Sequence, residues 1–188
     1  MTFLKLSRTM GTRPAAIVQF VPAEALADTE FDLNLLKRLS FEGKVGQSAT
    51  LTSGPSVVVL CGAGEPGEIT TTDLRKAMAN AVRALSAHPT VVVDLSLAAP
   101  MLIEHLTADD MVQAIGEGGG LGAYHFGTYK TSDKAFVDTV QIVSTTGKAG
   151  LARAQRIVEA VHFARDLVNE PGGTLTPAVF ADRVKAKA

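Results

Sequence analysis

The sequence predicts an α/β fold of three layers, a mostly parallel central sheet flanked by helices. Three observations point there. Segments with strand character alternate with segments of helical period along the chain. Two strand segments, Ala15–Val21 (AAIVQFV) and Ser56–Cys61 (SVVVLC), are apolar almost throughout, as in strands covered on both faces. Of the 188 residues, 46% are apolar, enough for a core of that architecture.

The elements follow in order. Thr2–Leu6 and Ala15–Val21 read as strands. In DTEFDLNLLKRL, Asp28 or Thr29 is placed to cap a helix carrying Phe31, Leu33, Leu35, Leu36 and Leu39. The turn GKVGQS leads to a short strand at Ala49–Thr52, Gly54 and Pro55 break it, and Ser56–Cys61 is a buried strand. Thr72 precedes a helix over Asp73–Ser86, in which Leu74, Ala77, Met78, Ala81 and Leu85 recur at helical spacing. Val91–Leu95 is a further buried strand, and AAPMLIEHL is a short helix or irregular. A helix over Thr107–Tyr124 opens on Thr107 as N-cap, with Asp109 and Asp110 suited to its positive end. Gly118, Gly119 and Gly120 interrupt its pattern at about 1 kcal/mol each relative to alanine, which predicts close packing or a local bend. Phe136–Val143 is a strand and Ala149–Leu167 a long helix. After the loop NEPGGTLTP, Thr176 and Pro177 supply a cap and a first-turn proline for a last helix.

Composition narrows the function classes. The net charge of −1 offers no overall basic field to nucleic acid or an acidic membrane. Cys61 is the one cysteine, set in an apolar strand, so no disulfide framework exists within the chain, as in a reducing compartment. The first ten residues lack the apolar run of a signal peptide, and no stretch approaches the ~20 apolar residues that span a bilayer. These features predict a cytoplasmic protein.

Several motifs invite a chemical reading. Gly62, Gly64 and Gly67 fall on the G-x-G-x-x-G spacing of a dinucleotide fingerprint. Pro66 lies inside that motif, EITTT separates it from the next helical pattern, and the nearest ribose-binding acid, Asp94, lies too far along the chain. A tight strand-to-helix turn accounts for the glycines better. Glu159, His162 and Asp166 share a helix face, as a fragment of a metal site or as a solvated polar stripe; further ligands would have to come from another element. Asp109 and Asp110 diverge on a helix and suit capping. His88 and His105 read as structural or solvated. His125 sits among aromatics in AYHFGTYK, at a core edge or on a stacking surface. No G-x-S-x-G, H-E-x-x-H or P-loop is present. From the residues alone, no catalytic site is assembled: the expected catalytic, cofactor-binding and metal residues in this chain are none.

Three segments together resemble the leucine aminopeptidase family of metallo-exopeptidases. ARDLVNEPGGTLTP (Ala164–Pro177) is similar to the family's Ala-Arg-Asp-Leu-Val-Asn-x-Pro-x-x-x-Leu-Thr-Pro junction, departing from the commoner Pro-Pro-Asn with Pro171, Gly172 and Gly173. EGGGLGAYHFGTYKT (Glu117–Thr131) resembles the family's Gly-x-x-Leu-Gly-x-Tyr-x-Phe-x-x-Tyr-Lys segment, and the stretch from Val57 to Leu85 its strand, glycine loop and helix. The resemblance implies a macro-domain-like N-terminal domain over 1–148, a linker helix over 149–168, and the start of the catalytic domain over 169–188. It implies a parent that removes N-terminal residues from peptides with two divalent metals, Zn or Mn, and assembles as a homohexamer. The family's signature Asn-Thr-Asp-Ala-Glu-Gly-Arg-Leu does not occur before Ala188, so this chain alone is expected to be inactive, and a monomer or weak oligomer. Its partner would be its own C-terminal catalytic domain. A stand-alone macro-like module binding ADP-ribose is the alternative, and nucleic-acid binding is disfavoured by the charge.

Overall fold

A computed structural model describes residues 2–129 and 136–187. Six strands form one sheet in the order β1-β6-β5-β2-β4-β3: β1 (Phe3–Ser7), β2 (Ala16–Pro22), β3 (Ser48–Ser53), β4 (Ser56–Gly64), β5 (Thr90–Asp94) and β6 (Thr139–Val143). All neighbours pair in parallel except β3 and β4. A two-residue loop, Gly54–Pro55, joins those two strands and permits the antiparallel hairpin.

One face of the sheet carries the main core. Val18 and Phe20 of β2, Val59 and Cys61 of β4, Val93 of β5 and Ile142 of β6 are all buried there. They pack under α2 (Thr71–Ala84) and α4 (Ala108–Gly122), and α4 lies between α2 and α5 (Lys148–Asn169). The opposite face is thinner. A 3-10 segment (Ala23–Asp28) and α1 (Leu33–Arg38) cover Ile17, Val21, Val58 and Leu60, with Leu36 and Phe41 as the plug. Over β1 and β6 this face stays open: Phe3 is 61% exposed, and Gln141 donates to the Ser7 hydroxyl across it at 2.9 Å. The short strands FLKLS and TVQIV alternate apolar and polar residues, so each has only one side to bury.

Several boundaries move for local reasons. The first helix is capped by Asp32, whose carboxylate accepts from the amides of Asn34 and Leu35. Asp28 belongs instead to the 3-10 segment, and the Thr29 hydroxyl closes that segment on the Leu26 carbonyl. α2 starts earlier than expected because Thr70 and Asp73 form a reciprocal capping box. Strand β4 runs through the first glycines to Gly64. The segment AAPMLIEHL contains the short α3 (Ala99–Leu102), and β6 begins only at Thr139. Pro177 opens α6 (Pro177–Lys187), where the Thr176 hydroxyl accepts from the Val179 amide at 3.4 Å. No helix among the described residues is long and apolar enough to cross a membrane.

Candidate functional site

The glycine loop after β4 is a closed turn. Gly62 donates its amide to the Gln47 carbonyl at 3.0 Å and Gly64 donates to Gly43 at 2.8 Å. The amide of Glu65 donates to the Glu68 carboxylate at 2.9 Å. Gly64 sits at φ +73° with the Glu68 carboxyl group against it, so a side chain there would meet both backbone strain and steric contact. A phosphate cradle needs free amides pointing at one anion. Here the amides of Gly62, Gly64 and Glu65 face carbonyls or a carboxylate, and α2 is capped by Thr70 and Asp73.

The other sequence candidates are engaged in holding elements together. Asp110 exchanges hydrogen bonds with the N-cap Thr107. Asp109 accepts from the Gly150 amide at 2.8 Å and so supplies the side-chain cap that Gly147, preceding α5, cannot. Sequence spacing could not have paired those residues across two elements. Asp94 accepts from the Ser96 amide and from Gln19. His105 packs under Gly67. Cys61 is buried, and burial pushes its thiol up to about 12, which keeps it protonated and inert.

Glu159, His162 and Asp166 do not form a solvated stripe. His162 is 7% exposed, and its Nε2 lies 3.0 Å from the Gly120 carbonyl. Burial holds the imidazole below its ordinary value, against the opposing pull of the Gly120 carbonyl and the Asp166 carboxylate. Asp166 accepts from the Tyr124 hydroxyl at 2.9 Å, and Glu159 accepts from Gln155 at 2.9 Å. Tyr124 also lies beneath the Arg165 guanidinium, 5.1 Å from the ring centroid. The three α5 side chains line a cavity of about 190 Å³ beside Tyr124, Phe136 and Phe163. His125 stands at its mouth, exposed and stacked on Phe136 with centroids 5.3 Å apart. Among the described residues no group of three or more His, Cys, Asp or Glu side chains could hold a metal ion.

The geometry defines a mostly parallel α/β domain whose polar motifs serve capping, edge closure and helix packing, with an acidic, aromatic-walled cavity. Comparison with known proteins narrows that class: the chain belongs to the cytosol aminopeptidase family, whose N-terminal domain matches residues 20–133. A probable cytosol aminopeptidase of Mycobacterium marinum is 32% identical over 186 residues, covering 93% of this chain and 34% of that protein. One from Leifsonia xyli is 38% identical over 141 residues, covering 72% of this chain and 26% of its own length. Among solved structures, the bottromycin maturation enzyme BotP in complex with Mn is 30% identical at a TM-score of 0.74, over 93% of this chain and 36% of that one. A mutant tomato leucine aminopeptidase shares the fold at a TM-score of 0.71 and 20% identity, over 99% of this chain and 42% of its own. The chain spans about a third of the length of the curated relatives it matches.

Proposed function

We propose that this chain is the non-catalytic N-terminal domain of an aminopeptidase that removes N-terminal residues from peptides. One observation carries the reading: the matched family segment is the N-terminal domain, while the relatives bearing the aminopeptidase name are far longer than this chain. In this reading residues 1–148 form the domain proper, 149–168 the helix that leads out of it, and 169–188 the entry to the catalytic domain. The catalytic domain would hold two divalent metals, Mn or Zn, which activate a water and polarise the scissile carbonyl when bound; the Mn named for BotP supports the choice of metal. The parent would be cytoplasmic, in line with its relatives' names, and a homohexamer, as the family resemblance implies.

The test is an assay of this chain against a leucine anilide with added Mn or Zn. No turnover is expected. Turnover that survives repurification and disappears with a chelator would overturn the proposal.

A further inference from the structure

We propose that the cavity between the segment following α4 and the C-terminal half of α5 binds a small organic ammonium group. Its lining carries two carboxylates, while the hydroxyls of Thr2 and Tyr124 and the Nε2 of His162 are already spent on the Val137 carbonyl, the Asp166 carboxylate and the Gly120 carbonyl. Glu159 and Asp166 stand two turns apart on one face of α5, so both carboxylates border the same space. A carbonyl only accepts, so the proton on His162 lies at Nε2, toward Gly120, and Nδ1 is left as a further acceptor. Tyr124, Phe136 and Phe163 supply the aromatic walls, whose ring faces attract cations. The molecule uses that attraction itself where Arg165 lies over Tyr124.

The chemistry selects the ligand class. A phosphate or carboxylate would meet two like charges here. A divalent metal would need a ligand cluster, and the described residues hold none. At about 190 Å³ the space is smaller than the roughly 300–1,000 Å³ of drug-sized pockets, which suits one aliphatic ammonium. Among the described residues of the lining the one cationic side chain is Lys187, carried by α6, a helix with no buried residue. Lys187 is therefore the internal cation with which an external amine would compete.

The experiment is an NMR titration of the chain with isoamylammonium chloride, with isoamyl alcohol as the uncharged control. Saturable shifts at the amides of Ala123, Glu159 and Phe163 are expected from the amine alone, with a Kd on the order of millimolar. Combining Glu159→Gln with Asp166→Asn keeps both hydrogen-bond acceptors and removes both charges; affinity should fall about tenfold or more. Lys187→Ala should tighten binding, since the competing ammonium is removed. Equal response to the alcohol, no saturation by about 20 mM amine, or unaltered binding in the doubly neutralised chain would overturn the proposal. The ligand comparison on the unaltered chain decides even if a variant folds poorly, and its outcome is independent of the peptidase reading.

Discussion

Glu117 is a carboxylate with 7% of its side chain exposed, in the middle of a helix. It survives there because Arg75 of α2 pairs with it and Gln113, one turn back, donates to it at 2.7 Å. Arg153 of α5 in turn donates to Gln113 at 2.6 Å, so one polar relay links three helices. Replacing Glu117 by Leu strands the donors of Arg75 and Gln113; a loss of about 1–3 kcal/mol is expected in urea unfolding. Cys61 should resist alkylation in the native chain and react at once in denaturant, since its thiol is buried and its pKa lies at about 12. His162 makes stability depend on pH. Its folded pKa is depressed, so its contribution is full above the unfolded value of ~6.5 and is lost as pH falls through that value toward the folded one. Asp166, Arg165 and Tyr124 share its surroundings. Melting followed between about pH 7.5 and 5 should show a decline that His162→Gln, which keeps a donor for Gly120, lacks.

At the scale of the element, α4 explains its own composition. Its five glycines face three neighbours. A Cβ at Gly118 would lie 2.9 Å from the Arg75 Cα, and one at Gly122 2.8 Å from the Ala79 Cα, so this side touches the α2 backbone. Gly116 and Gly120 face Ala154 and Val158 of α5, and Gly119 faces Val140 of the sheet. The helix stays continuous because packing on three sides offsets its poor propensity. Gly118→Ala gains helix propensity but forces backbone apart. A net destabilisation of about 1–3 kcal/mol is expected, whereas Gly172→Ala, with open space around it, should lie within about 0.5 kcal/mol of the parent. Paired urea melts check both. The sequence made the close packing legible as one of two options, packing or a bend. It did not reveal which residues the glycines meet, since Arg75 and Ala154 are near α4 only in space. The capping residues show the same limit: Thr107 was readable from its neighbours, while Asp109 capping α5 was not. Edge closure was equally hidden, for the outward amide of Leu4 on β1 donates to Gln155 of α5 at 3.1 Å.

Across the whole molecule the helical layers are unequal, and the C-terminal helix stands apart. α6 contributes no buried residue; Phe180 and Val184 are 47% and 39% exposed. Its described tie is the Arg183–Glu170 pair at 3.0 Å, beside the hydrogen bond from Tyr129 to Glu170. A chain ending after Glu170 should therefore keep one cooperative transition, with a Tm within a few degrees of the full chain. A collapse of the transition would mean that α6 is part of the core. The same independence suits a segment whose apolar face meets a further domain, as the aminopeptidase reading requires.

Period and composition along the chain were sufficient for the α/β class, because buried parallel strands and amphipathic helices carry their burial pattern in consecutive residues. The glycine loop was readable as a turn for a similar reason, since Pro66 and the following EITTT are local facts. Family membership was legible in short motifs such as ARDLVNEPGGTLTP. Contacts between residues far apart in sequence remained for the folded chain to settle. The polar face over β1 and β6, the three-sided fit of α4 and the conversion of Glu159, His162 and Asp166 from a supposed solvated stripe into a cavity wall all depend on which helix comes to rest against which. That choice is made by side-chain volume and hydrogen-bond satisfaction summed over the whole core, quantities that no single window of sequence contains.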